Sequence, residues 1–394
     1  VSGPAWRAFQ LLPDDVLFFR DGRPSARGTD HYLRSLFPPH PTTLYGALRT
    51  RLLVEAGVEL EGLNRATWRK RLGSLVEEVG EWGGFGSLRL RGPWLVRGGE
   101  ALLPAPADLG LVLETAPSDE EPPEVAAVVR FRRAAGDGPA GGASHDLEPL
   151  APYGRQGRSW RRHDLDGEPR PAEGYLLRPA GLAAWRAGGL PEAGDFVHPS
   201  ALWRDEPRTG IGMEAGRRLG MTGLLYTFGF VRLLAGVSLG CEVAGAERLG
   251  AGRVRLGGEG RTAMLQAGGP GFPAAAPGTP AGETLCLALA TPAVSTNGAY
   301  PPGFGADRRE ALLGPRPLRL VSAVVPRSTT VGGWDLAAGA PKALRRALPA
   351  GSTFLFTGAA GDTLDALDGA CISDDPAADL ARQGFGLAIA GFSD

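Results

Sequence analysis

Apolar residues recur along this chain in two rhythms, and the switches between them mark its elements. Residues 6–19 read as a strand, or a strand pair turning at Pro13-Asp14-Asp15. Leu44, Leu48 and Leu52 then recur at helical spacing, with Pro41 and Thr42 as a start and Gly57 as a stop, so a helix is expected over about 42–56. A shorter amphipathic helix is expected over 68–79, and glycine-broken strand material over 82–96. Residues 114–144 turn polar and loop-like; the acidic, proline-rich 116–123 and the Gly/Ala/Pro run 134–144 offer too little apolar surface to offset ordering entropy. The basic stretch 153–175 is expected to order only on binding.

Beyond it, glycines at both ends of residues 207–231 and an arginine-rich middle predict a long, thumb-like hairpin, with 215–219 able to form a helical turn. Strands are expected at 239–243, 253–256, 284–291, 318–325, 353–357 and 385–392. Short helices are expected at 341–348, stopped by Pro349, and from Asp375 to Gly384. Residues 267–282 make the best linker. Strand and helix alternate loosely in both halves, which fits an α+β protein of two ferredoxin-like (RRM-like) domains. The boundaries expected are 1–270, carrying an insertion over about 104–200 and the hairpin, a linker at 271–283, and a second domain at 284–394.

Composition adds three constraints. The 60 glycines and 34 prolines lie between apolar runs, which favours loops and turns in a β-rich architecture over a helical bundle. Net charge is −1, so the whole-molecule field does not announce a nucleic-acid binder, but the charges are segregated. Apart from Lys70 and Lys342 every basic residue that is not histidine is arginine, clustered at 20–34, 155–162 and 204–218, with acids gathered at 114–124 and 362–379. Cys241, Cys286 and Cys371 are too far apart for a disulfide framework or a zinc site, and neither a metal nor a cofactor is expected. No run of ~20 apolar residues and no signal-peptide pattern occurs, so the expected location is cytoplasmic, without a membrane partner.

The chemistry concentrates near the start. Leu17-Phe18-Phe19-Arg20-Asp21-Gly22-Arg23-Pro24 followed by Phe37-Pro38-Pro39-His40-Pro41-Thr42-Thr43 reads as strand, arginine-bearing loop and helix. A helix start facing Arg20, Arg23, Arg27 and Arg34 suits a polyanion, because unpaired amides and guanidinium forks both recognise phosphate oxygens. Near the other end, Arg382-Gln383-Gly384-Phe385-Gly386-Leu387-Ala388-Ile389-Ala390-Gly391 runs helix, glycines, strand, the reverse of a dinucleotide-binding unit. Its glycines are expected to allow positive φ and close approach of another backbone, including RNA. Trp160 among Arg158, Arg161 and Arg162 can stack a base. His31 can serve as a general base on a 2′-hydroxyl, but neither it nor His163 has a partner at a fixed offset, so no catalytic residue is assigned.

These segments resemble the third subunit of the type III-B CRISPR (Cmr) effector complex, a member of the RAMP superfamily. The resemblance is carried by the 17–24 and 37–49 segments and continues in Arg208-Thr209-Gly210-Ile211, Gly223-Leu224-Leu225-Tyr226, Gly332-Gly333-Trp334-Asp335, Pro341-Lys342 and the 382–391 glycines; residues 104–183 match nothing in it. It implies a non-catalytic subunit of a ribonucleoprotein that holds the 5′ repeat-derived handle of a crRNA. It also implies docking to a large polymerase-like subunit and a backbone RAMP subunit, with target RNA met indirectly. RNA contacts are then expected at Arg20, Arg23, Arg27, His31, Thr42, Thr43 and Arg49, at Arg208, Thr209 and Gly210, at Gly384, Gly386 and Gly391, and in the insertion at Arg155, Arg158 and Arg161. The readings that compete are a metal-independent CRISPR RNA endoribonuclease using His31 and a scaffold that binds protein alone.

Overall fold

A computed structural model of the chain describes residues 5–20, 32–114, 123–133, 150–153, 169–213, 216, 219–276, 284–298, 300–303, 310–311, 313, 317–335, 339–358, 361–375 and 378–393. It is a mixed α+β protein, strand-dominated with few helices. Its internal contacts divide it into two units: residues 1–98, 202–271 and 330–345, and residues 99–201, 272–329 and 346–394.

The first unit is built on an antiparallel sheet. Its order is Arg89–Arg97, Val237–Ala244, Arg7–Pro13, Thr262–Ala267, Gly252–Arg255. The helix Pro41–Glu55 crosses from the strand Arg7–Pro13 towards Arg89–Arg97 and buries Leu44, Leu48, Leu52 and Leu53. Proline at its first turn fits there because that N–H has no intrahelical partner to lose. A second sheet joins the hairpin Trp203–Met213 and Gly220–Leu233 to Tyr32–Arg34, which pairs in parallel with the second hairpin strand. One hairpin face closes over Phe18 and Val16 through Phe230 and Phe228.

The second unit holds an antiparallel sheet ordered Glu310–Ala311, Leu318–Val324, Thr353–Thr357, Thr284–Leu289, Ala388–Ser393. All six residues of Thr284–Leu289 are buried, as expected of an apolar run paired on both edges. The helix Gly361–Leu367 lies in the crossover to the last strand and seats Leu364 and Leu367 in the core with Phe354, Phe356 and Phe392. Each such side chain contributes about 1.5–3 kcal/mol by leaving water.

Several expectations fail for identifiable reasons. The polar stretch 114–144 contains a nine-residue strand, Val125–Arg133, whose Val129 and Arg130 are fully buried. The helix expected over 341–348 is replaced by the short strands Ala340–Pro341 and Arg345–Ala347. Lys342 N donates 2.9 Å to Gly333 O, so this backbone pairs across the chain instead of along a helix. The described part of 375–384 is a succession of turns in which Leu380 O accepts from both Gln383 N and Phe385 N. Helix Pro179–Arg186, by contrast, was not expected; it buries Leu182 and Trp185.

The units also cut across the boundaries expected at 270 and 284. Residues 99–201 group with the C-terminal strands because they share buried polar ties with them. Arg130 donates to Asp108 (2.8 Å), Trp185 O (2.9 Å) and Cys286 Sγ (3.4 Å), and Arg186 pairs with Asp368 at 2.7 Å while reaching Ala390 O at 3.2 Å.

Candidate nucleic-acid interface

In the first unit the chain leading to Arg20 is fixed from both sides. Leu17 and Val231 exchange backbone hydrogen bonds at 2.8 and 2.9 Å, Phe19 N donates to Ser35 Oγ at 2.8 Å, and Leu36 N donates to Phe19 O at 2.8 Å. Arg20 emerges exposed from this clamp. The helix start follows, with His40 at the cap in an extended conformation, no side-chain cap and no acidic residue in the first turn. Its positive dipole end is therefore not offset by a carboxylate of its own, which favours an anion there. Thr42 and Thr43 are half-buried in this turn, and Thr43 N donates to His40 O at 3.0 Å. Burial pulls the His40 imidazole down to about 4, so it is neutral near pH 7.

Arg49 does not extend outward as expected. It donates to the carbonyls of Gly84 (3.2 Å) and Glu81 (3.4 Å) and lies over the Trp68 ring at 5.5 Å. Burial lowers its pKa, against the opposing influence of Tyr45 and Asp335.

At the hairpin base three carboxylates meet four guanidinium groups. Arg208 bonds Glu206 at 2.6 and 2.9 Å and Asp15 at 3.3 Å; Arg232 bonds Asp15 at 2.9 Å and also Glu206. Arg261 reaches Asp15 at 3.3 Å, and Arg253 holds Asp14 at 3.0 and 3.2 Å. Arg208 and Arg261 both lie over the Phe230 ring, at 5.4 and 4.5 Å. A hydrogen bond from Thr262, then Arg253, lowers the Asp14 carboxyl. Burial raises Asp15, but Arg232, the Val16 N–H and the charge of Arg208 outweigh it and leave it lowered. Hydrogen bonds from Arg232 and Arg208 lower Glu206. The cluster keeps one positive charge in excess and ties the hairpin to the turn after the first strand.

The expected contact residues are thus distributed unevenly. Arg20, Thr42, Thr43, Arg49, Arg208, Thr209 and Gly210 all belong to the first unit. Arg23, Arg27, His31, Arg155, Arg158 and Arg161 lie outside the described residues, as do Trp160 and His163. Gly210 sits under the Tyr226 ring, whose Cζ is 2.5 Å from where a Cβ would stand. Gly384, Gly386 and Gly391, expected to admit RNA, are buried in the second unit, and what approaches them is protein. A Cβ on Gly391 would come within 2.6 Å of Arg186 Cα, and one on Gly386 (φ +71°) within 2.7 Å of Ser373 N. Sequence reasoning missed His40, Glu206, Arg232, Arg253 and Arg261, and read Asp14-Asp15 as a turn alone. The hairpin register carries the missing signal, since it sets Arg204 beside Arg232 and Glu206 beside Phe230.

Residues 9–392 match the family described as CRISPR-associated protein (Cas_Cmr3). The chain belongs to this family. No curated protein matches it. Among solved structures, this Cas_Cmr3 chain is similar to a chain of the type III-B Cmr-beta complex bound to cognate target RNA and AMPPnP, at 14% identity and TM-score 0.48, over 89% of this chain and 86% of that one. It is also similar to a chain of the Csm3–Csm4 subcomplex of the type III-A interference complex, at 11% identity and TM-score 0.36, over 89% and 94%. Among the described residues no helix is long and apolar enough to cross a membrane.

Proposed function

We propose that this Cas_Cmr3 protein is the crRNA-binding subunit of a type III-B CRISPR RNA-targeting effector complex, holding the 5′ repeat-derived handle without cutting it. The observation that carries the reading is the family match over nearly the whole chain. Its local support is Arg20 and a helix start without its own carboxylates, together with a hairpin base whose arginines outnumber its acids. In this reading the 21–31 segment supplies Arg23, Arg27 and His31 to phosphates and bases, and Arg155, Arg158 and Arg161 add a second set. Recognition rests on splayed single-stranded bases and 2′-hydroxyls rather than duplex grooves. The protein docks to the large polymerase-like subunit and to a backbone RAMP subunit, and meets target RNA through them.

Setting aside the edge strands Gly252–Arg255 and Glu310–Ala311, four adjacent strands of each sheet follow the chain order second, third, first, fourth, the order of a ferredoxin-like split βαβ unit. A duplicated ferredoxin-like ancestry belongs to the same proposal.

The test is binding of repeat RNA to the purified chain across a salt series. Wild type should bind with a steep negative slope of log K against log salt, and Arg23→Ala should flatten that slope by about one unit. Absence of salt-sensitive RNA binding would overturn the reading. Cleavage of the RNA in EDTA, lost in His31→Ala, would replace it with an endoribonuclease.

A further inference from the structure

Ten large apolar side chains are exposed among the described residues, and five of them (Tyr32, Ile211, Met213, Leu219 and Leu225) belong to the small hairpin sheet or its tip. The strand register explains how three of these meet. Thr209 pairs with Thr227 and Thr227 with Tyr32, so three side chains form one row across the three strands, on one face. One step towards the tip, Ile211 pairs with Leu225 on that same face; one step towards the base, Pro207, Gly229 and Arg34 line up. The opposite face carries Phe228 and Phe230 into the core, so this one is the solvent side.

Its chemistry is mixed in a specific way. The Thr209 and Thr227 hydroxyl oxygens are 3.1 Å apart at the surface, one donating to the other. Together they keep a hydrogen to donate and lone pairs to accept. Tyr32 is 43% exposed, and its hydroxyl extends over Gly229, where a Cβ would stand only 2.9 Å away. The Arg34 guanidinium lies 5.8 Å from the ring centroid. An aromatic with a guanidinium beside it, next to a paired hydroxyl that both donates and accepts, has the groups a ribonucleotide requires. The ring stacks a base, the cation meets a phosphate, and the hydroxyl pair satisfies a 2′-hydroxyl, itself donor and acceptor. A protein partner would favour an unbroken apolar centre, whereas here hydroxyls separate Tyr32 from the Ile211–Leu225 pair.

We propose that this face binds single-stranded RNA, with a base stacked on Tyr32 and the Thr209–Thr227 pair discriminating ribose from deoxyribose. The proposal rests on the RNA-binding reading above and deepens it: the face, not the arginine segment, makes the chain an RNA rather than a DNA binder.

The experiment measures fluorescence anisotropy of the full chain with a mixed-sequence single-stranded RNA and with the DNA of the same sequence. Wild type should prefer RNA. Thr209→Val with Thr227→Val, which keeps side-chain shape on an exposed hairpin, should weaken RNA binding about tenfold, leave DNA binding unchanged and so abolish the preference. Tyr32→Ala should weaken both probes roughly tenfold or more, and Tyr32→Phe should restore them. An undiminished RNA preference in the double valine variant overturns this inference; if Arg23→Ala still weakens binding, the parent reading stands. Failure of wild type to bind RNA at all overturns both.

Discussion

Replacing Asp108 by asparagine should unsettle the second unit more than any surface change of equal size. Asp108 is 1% exposed, accepts from Arg130 Nε at 2.8 Å, and accepts from Trp185 Nε1 at 2.9 and 3.0 Å. Arg130, itself 0% exposed, also donates to Trp185 O and Cys286 Sγ. Asparagine keeps the shape and one acceptor oxygen but removes the only charge paired with this guanidinium in the described ion pairs. Breaking a buried pair from one side costs about 3–5 kcal/mol, because the other charge stays buried without compensation. In a unit of roughly 200 residues that corresponds to a fall of roughly 6–20 °C in melting temperature. Urea unfolding followed by far-UV circular dichroism should show the loss. Arg130→Met on top of Asp108→Asn should then recover part of it, since no unpaired charge remains. If Asp108→Asn cost under about 1 kcal/mol, or the two changes added to within about 0.5 kcal/mol, the claim of a coupled buried pair would be wrong.

Two further outcomes follow from backbone contact and from titration. Gly391→Ala should destabilise by about 1–3 kcal/mol, since the new methyl meets the backbone of Arg186, while Gly46→Ala, with open space around it in a helix, should be neutral or stabilising by up to about 1 kcal/mol; paired urea titrations check both. His40 titrates near 4 when folded and near 6.5 when unfolded, so the unfolded state binds more protons between these values and stability falls as pH drops through that window. Wild type should lose roughly 2 kcal/mol more than His40→Gln between pH 7 and pH 5, read from denaturation midpoints at each pH; parallel losses in the two proteins would place the imidazole in solvent.

Legibility in the sequence followed the locality of the cause. Helix Pro41–Glu55 and strand Thr353–Thr357 were readable because leucine spacing, a proline start and a continuous apolar run act within a few residues. Strand Val125–Arg133 was hidden because its polar flanks dominate the window, and its buried Arg130 is matched by an aspartate twenty-two positions earlier. The helix expected over 341–348 failed because Gly333, distant enough to escape any periodic pattern, captures its backbone. The same applies to the site. Arg20 and the helix start were visible as local motifs, whereas the Asp15–Arg208–Arg232 knot and the Thr209–Thr227–Tyr32 row exist only once three strands take register.

On one side of the arginine-bearing segment Phe19 is fastened to Ser35 and Leu36, and on the other Tyr32 pairs with Thr227 of the strand Gly220–Leu233. Since these flanking residues have backbone anchors of their own, a change in the length of the segment 21–31 should cost the scaffold little, loop closure growing only slowly with length.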